Sequence, residues 1–254
     1  MPSLTDPEGL VVGALYGYSN MMLKLRSELE ASHLAVILDH GEITFRKELY
    51  PEYKANRPPA PEDLIPQFPL VREVTEAMHI VTLEKKGVEA DDIIATLAKQ
   101  AATQDIEVII ISSDKDLTQL INEKIKIYDP MKKKIIDREA VFEKYGVYPE
   151  NMLDLLALSG DSADNIPGVP GIGPKTSAEL IARFNNLAGI YDNLAQISQV
   201  KRREKILENK DQAFLSQELV KLKSDVELEV TIADLLMQNI DTVSYTHLRA
   251  HETR

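Results

Sequence analysis

Two short apolar runs stand out along the chain, and each is followed at once by aspartate. Leu34-Ala-Val-Ile-Leu38 leads into Asp39, and Ile106-Glu-Val-Ile-Ile-Ile111 leads into Ser112-Ser-Asp-Lys-Asp116. Near-continuous aliphatic runs separated by helical stretches predict strands of a parallel sheet covered on both faces. Tyr16 to Leu29 and Asp92 to Ala102 supply the helices between them. Lys124-Ile-Lys-Ile-Tyr128 alternates instead, which reads as a half-exposed edge strand. The first half is therefore α/β. In such sheets ligands bind beyond the carboxyl ends of the strands, where both runs deliver aspartates.

From Pro149 the strand signals fade. Pro149 and Glu150 open a helix through Met152, Leu153, Leu155, Leu156 and Leu158, stopped by Gly160. Pro167-Gly-Val-Pro-Gly-Ile-Gly-Pro174 then forms a tight connection into a helix through Ala178, Leu180 and Ile181. Ser216 to Glu229 is expected to return along the first domain.

Composition narrows the chemistry. The 254 residues carry a formal charge of −12 and no cysteine. That excludes disulfide scaffolds, thiolate zinc sites, iron–sulfur ligation and cysteine nucleophiles. The longest apolar runs are only four or five residues, so no membrane span or signal peptide is expected, and the protein reads as cytoplasmic. The acidic balance argues against a nucleic-acid partner only if charge is spread evenly. An enzyme holding divalent metals against a phosphodiester needs carboxylates at its centre and basic groups only around them.

Three acidic clusters fit that exception: Glu89-Ala-Asp91-Asp92, Asp114 with Asp116, and Asp161 with Asp164, with Asp39 as a fourth contribution. Singly they read equally well as first-turn acids favoured by a helix dipole or as ordinary turn aspartates. Converging at one sheet edge, they would repel unless cations lay between them. Oxygen-only ligands point to Mg²⁺ or Mn²⁺ rather than zinc. The Gly168 to Gly173 hairpin, with Lys175 beside it, is either an anion-binding nest or a plain helix–helix turn. Its spacing fits neither a Rossmann nor a P-loop fingerprint. Phe45 to Arg57 interleaves Arg46, Lys54 and Arg57 with Tyr50 and Tyr53, a pattern that grips phosphates and stacks bases, or a solvated loop. His247 and His251 have metal-ligand spacing, but no capping or core pattern surrounds them. The last dozen residues are read as a disordered or non-native tail.

The order Asp39, Phe45-Arg46, Tyr53-Lys54-Ala-Asn-Arg57-Pro-Pro, Gly87-Val-Glu-Ala-Asp-Asp92, Ser113-Asp-Lys-Asp116 and Gly160-Asp-Ser-Ala-Asp-Asn-Ile-Pro-Gly-Val-Pro-Gly-Ile-Gly173 resembles the bacterial 5′-nuclease family. That family comprises the 5′→3′ exonuclease domain of DNA polymerase I and its stand-alone relatives, akin to flap endonucleases. The resemblance runs from roughly Leu4 to Glu229. It implies a parallel-sheet (PIN-like) nuclease core over residues 1–147 with a helical arch near 45–70. A helix–hairpin–helix (H3TH) region over 148–229 and a tail over 230–254 would follow. It implies hydrolysis of DNA at 5′ flaps, nicks and gaps by a monomer using Mg²⁺, with Mn²⁺ as a substitute and two ions in the site. Asp39, Glu89, Asp91, Asp92, Asp114, Asp116, Asp161 and Asp164 would be the metal-binding carboxylates. Arg46, Tyr53, Lys54 and Arg57 would serve the reaction from the arch. Gly168, Gly171, Gly173 and Lys175 would hold the duplex backbone.

One departure matters. The family opens with an apolar strand ending in Asp-Gly, whereas Met1 to Gly9 looks like the loop after that strand, with Asp6 and Glu8 in the wrong context to substitute. A central strand and one metal-site aspartate are therefore expected to be missing. Two rivals follow: a catalytically incomplete fragment that only binds branched DNA, and a toxin-type α/β ribonuclease. The hairpin after Asp164 argues against the second. Whether the nuclease stands alone or precedes a polymerase is open.

Overall fold

A computed structural model describes residues 4–41 and 43–237; His247 and His251 lie outside them. In chain order the first elements are α1 (Gly13–Glu28), β1 (Ala35–Ile37), α2 (Phe45–Leu49), α3 (Gln67–Ala77) and β2 (Val81–Leu83). Next come α4 (Ala90–Thr103), β3 (Val108–Ile111), β4 (Ile125–Asp129), β5 (Lys134–Ile136) and α5 (Arg138–Tyr145). The helices α6 (Met152–Ser159), α7 (Pro174–Phe184), α8 (Leu187–Asp192), α9 (Val200–Glu208) and α10 (Lys210–Val220) follow. The chain divides into two compact units.

Among the described residues, the first unit holds those up to His40, Pro58–Glu84, and those from Glu227 onward. Here β1 and β2 pair in parallel, Ala35 opposite Val81 and Ile37 opposite Leu83. Helix α1 lacks a side-chain cap of its own. The buried Gln67 supplies one: its carboxamide oxygen accepts from Ala14 N (3.1 Å) and Leu15 N (3.0 Å).

The second unit, Gly41–Arg57 and Lys85–Val226, carries the larger core. Strands β3 and β4 are parallel, with Val108 opposite Ile125, and β5 adds antiparallel to β4. Helix α6 is mostly apolar because α7 and α10 both pack on it, and its buried Asp154 accepts from Gln217 of α10 (2.6 Å). Met152, Leu155, Leu156 and Leu158 are all buried there.

Helices α1, α4, α6 and α7 lie where the apolar spacing predicts them, and Pro174 opens α7. Two expectations change, and the return of the segment after Ser216 takes a specific form. Among the described residues the two apolar runs do not share a sheet, since β1 pairs with β2 and β3 with β4. Strand β4 is central in its sheet, not an edge: its alternation reflects burial of Ile125 and Ile127 on one face while Lys126 faces outward. The segment after Ser216 is helical only to Val220 and then runs extended along α4, where Lys223 N donates to Asp92 (2.8 Å) and Val226 N to Thr96 Oγ1 (3.2 Å). No helix among the described residues is long and apolar enough to cross a membrane.

Candidate active site

The turn after α2 and the loop after α6 are stitched together by backbone. Lys54 N donates to Asp164 O (2.9 Å), Asn56 Nδ2 to Ser162 O (2.6 Å) and Asn165 Nδ2 to Glu52 O (2.6 Å). Lys54 and Asn165 both adopt left-handed backbone, with φ of 55°. The loop is closed at its root by reciprocal bonds between Asp161 and Ile166 (2.9 and 2.7 Å). Its ends are held by Gly160 and Gly168, whose backbones touch so closely that a Cβ on Gly168 would lie 2.3 Å from Gly160 N.

Three carboxylates meet there. Oxygens of Asp116, Asp161 and Asp164 lie within 4.8 Å of one another. Asp116 sits one residue beyond Lys115 at the end of the β3 loop, where Asp114 Oδ1 accepts its backbone N–H (2.9 Å). Its Oδ1 is buried and has no hydrogen-bond partner among the described residues. Burial, reinforced by the charge of Asp114, pushes its carboxyl up to about 7. Asp161 accepts from Lys115 Nζ (2.5 Å) and from Ala163 N (3.0 Å). Asp164 is buried and pairs with the Arg57 guanidinium. Lys54 Nζ lies 2.9 Å from Glu89 and 3.7 Å from Asp164. Tyr53 donates its hydroxyl to Glu89 (3.1 Å), and burial together with the negative charges of Glu89 and Asp164 raises its pKa strongly. Arg57, Asp114, Lys115, Asp116, Asp161 and Asp164 line one cleft of about 540 Å³. Ser112, Ser113, Lys144, Tyr145 and Ala163 complete its walls.

Glu89 caps α4 reciprocally with Asp92, which fixes both at the first turn. Asp92 is taken up by other partners than the cluster. Its Oδ1 accepts from Arg46 Nη2 (2.7 Å) and Lys223 N (2.8 Å), and its Oδ2 from Arg46 Nη1 (2.7 Å) and Glu89 N (3.1 Å). A carboxylate with four donors and no exposed surface has no lone pair left for an ion. Arg46 likewise departs from the arch expectation: it is buried and bonds Leu219 O and Lys221 O besides Asp92. Asp91 is half-buried one residue before Asp92, and Asp114 is exposed at the cleft. Asp39 follows β1 in the first unit and so belongs to the other compact body.

The hairpin divides in two. Gly168 is buried, and its N–H donates to Ser216 Oγ (3.0 Å), so it serves packing. Gly171 and Gly173 are exposed, with Lys175 one residue into α7, and Lys205 Nζ approaches the open face of Gly171. Lys115, Lys144, Tyr145 and Lys205 were absent from the residues singled out in the sequence. Lys115 stands between two of the aspartates that were, but the others belong to no acidic or glycine motif.

Comparison with known proteins identifies the family of the chain. Residues 1–146 match the family model of the 5′-3′ exonuclease N-terminal resolvase-like domain, and residues 147–243 that of the 5′-3′ exonuclease C-terminal SAM fold. DNA polymerase I of Rhizobium leguminosarum is 48% identical over 94% of this chain, which spans 24% of that polymerase. The 5′-3′ exonuclease of Aquifex aeolicus is 35% identical, with 95% of this chain and 82% of the relative covered. Among solved structures, the bacteriophage T5 5′-exonuclease with bound zinc has a TM-score of 0.73 at 26% identity, covering 93% of this chain and 90% of its own. The T5 flap endonuclease in a pseudo-enzyme–product complex with DNA and metal ions gives 0.73 at 27%, covering 94% and 91%. A chain matched over residues 1–243 by these two successive exonuclease models belongs to the 5′-3′ exonuclease family of nucleases.

Proposed function

We propose that the chain is a divalent-metal-dependent 5′-3′ exonuclease and structure-specific flap endonuclease, cutting DNA phosphodiesters at 5′ flaps, nicks and gaps. The observation that carries this reading is the meeting of Asp116, Asp161 and Asp164 within 4.8 Å around a buried, unpartnered carboxylate oxygen. Such a donor set, all oxygen and compact, fits Mg²⁺ with Mn²⁺ as substitute. An ion held there would supply charge to activate water and to neutralise the phosphate. Asp116, Asp161 and Asp164 would hold it, with Asp114 fixing the Asp116 backbone and a second ion drawing on the same acidic cleft.

The other roles belong to the chain's own cations. Lys54 and Arg57 already rest against Glu89 and Asp164, so a phosphate beside the cluster falls within reach of both. Tyr53 holds Glu89, and the Arg46–Asp92 pair positions α2 and α4 without touching substrate. Exposed Gly171, Gly173 and Lys175 would hold the duplex backbone, giving recognition by structure rather than base sequence. In relatives such as the Rhizobium polymerase this segment is part of a longer protein, and a following polymerase region is part of the proposal.

The test is cleavage of a 5′-labelled flap duplex with Mg²⁺ and with EDTA, beside Asp116→Asn. Metal-dependent release of short 5′ products that Asp116→Asn abolishes is the expected result. DNA binding without cleavage by the wild-type chain under any divalent metal would replace this reading with that of a branched-DNA binder.

A further inference from the structure

The cleft has one cation whose position the carboxylates do not explain. Arg57 pairs with Asp164, Lys115 with Asp161, and Lys54 with Glu89. Lys144 lines the same cleft from the last turn of α5, yet no carboxylate lies within ion-pair distance of it among the described residues. Its ammonium instead donates to Tyr145 Oη (2.6 Å) and lies 4.5 Å from the centre of that ring. The Tyr145 ring packs against the core cluster, so the lysine is held at the cleft wall by a group that leaves its charge uncancelled.

The surroundings give this a direction. Helix α5 ends at Gly146 in left-handed conformation, φ 73°, and packs on α7, where a methyl added to that glycine would lie 3.4 Å from Ala178 Cβ. Helix α7 is the one that the exposed hairpin opens. Lys144 and Tyr145 therefore stand between the carboxylate cleft and the helix that follows Gly171 and Gly173. A strand held at the hairpin and cut at the cleft has to cross that interval, and a repeating phosphate is the anion it would present there.

Resting on the nuclease reading above, we infer that Lys144, oriented by Tyr145, is a further substrate contact: it binds a backbone phosphate between the hairpin and the scissile position. It touches the substrate but not the reacting atoms, so it adds binding more than chemistry.

The experiment measures flap-duplex binding by the full chain in Ca²⁺ from about 50 to about 200 mM salt, and single-turnover cleavage in Mg²⁺, for wild type, Lys144→Ala, Lys144→Arg and Tyr145→Phe. Lys144→Ala should weaken binding roughly three- to tenfold and lower the slope of log affinity against log salt by about 1. The saturated cleavage rate and thermal midpoint should stay near wild type. Lys144→Arg should restore the slope, and Tyr145→Phe should weaken binding by less than Lys144→Ala. Unchanged affinity and slope in Lys144→Ala, with wild type cleaving normally, overturn this inference alone. A wild-type chain that binds flap DNA but never cleaves it overturns the nuclease reading while the salt slopes still decide the role of Lys144. A chain that does not bind flap DNA overturns both.

Discussion

The guanidinium of Arg46 meets the carboxylate of Asp92 fork to fork, both N···O distances 2.7 Å, across 46 residues of sequence. Neither side chain reaches solvent: Arg46 is 1% exposed and Asp92 0%. Arg46 Nε and Nη2 also bond Leu219 O (2.8 Å) and Lys221 O (2.9 Å), so one residue ties α2 and α4 to the end of α10. Burial alone would lower the pKa of Arg46, but Asp92 outweighs it and holds the charge in place. The pair fixes the helix that presents Glu89 and the turn that presents Tyr53, Lys54 and Arg57.

Removing one partner leaves a buried, unpaired charge. Arg46→Met is expected to cost about 3–5 kcal/mol of stability. Arg46→Lys should also be destabilising, because an ammonium cannot make the double bond to Asp92 and the two carbonyl contacts together. Pairing Arg46→Met with Asp92→Leu should recover only part of the loss, because the charge is removed but Glu89 N and Lys223 N lose their acceptor. Urea unfolding of the three variants decides this, and a wild-type midpoint for Arg46→Met would show that the pair does not hold α2.

Gly168 and Gly173 lie in one hairpin but carry opposite expectations. A methyl on Gly168 meets Gly160 N at 2.3 Å and requires φ of 59° from an L-residue. The left-handed strain alone is about 1–2 kcal/mol, and the backbone collision adds to it and pries open the loop bearing Asp161 and Asp164. Gly173 has φ −90° and nothing within 4 Å of a methyl, so Gly173→Ala should stay within about 0.5 kcal/mol of wild type. Thermal melts of both variants make the comparison. Equal loss would mean that the Gly160–Gly168 contact is not what closes the loop.

Local pattern revealed much of this molecule, and the limits are physical. Helix α4 showed itself through its apolar spacing and its acidic first turn, and α6 through Leu155, Leu158 and the Gly160 stop. The aspartates after β3 were visible because a strand end followed by Asp-Lys-Asp is a compact signal. Strand β2 was not, since Val81-Thr-Leu83 is too short to show a period. The same two-residue alternation that marks an edge strand also marks a central strand with one covered face, which is why β4 read wrongly. Most of all, burial decided which acids are available. Asp91 and Asp92 are neighbours in sequence, yet Asp92 is closed off by an arginine that only the fold brings to it. No spacing rule reports a partner 46 residues away.

Lys54 offers a separation of chemistry from stability. Its side chain is 25% exposed, and Glu89 retains Tyr53 and Arg46 as neighbours when it is cut back. Lys54→Ala should therefore shift the thermal midpoint little, while slowing single-turnover flap cleavage roughly a hundredfold by removing a donor aimed at developing charge. Arg57→Ala should act in the same direction. A full cleavage rate from a folded Lys54→Ala protein would remove the lysine from the reaction.

Asp116 connects pH, metal and stability. Its carboxyl titrates at about 7 in the folded protein against 3.8 for the free group, with burial the first cause and Asp114 the second. The folded state therefore holds its proton more tightly than the unfolded chain. The stability this contributes is complete below the unfolded value and is lost as pH rises through the folded one. In EDTA the thermal midpoint should fall between about pH 4 and pH 7, and Asp116→Asn should show a shallower fall, leaving it the more stable protein at alkaline pH. Mg²⁺ should reverse the order: an ion beside Asp116, Asp161 and Asp164 favours the ionised form, so added metal should stabilise wild type more at alkaline than at acid pH and leave Asp116→Asn nearly unmoved. Melts at matched pH with Mg²⁺ and with EDTA read both effects without any assay of cleavage. An identical Mg²⁺ response in the two proteins would place the ion elsewhere.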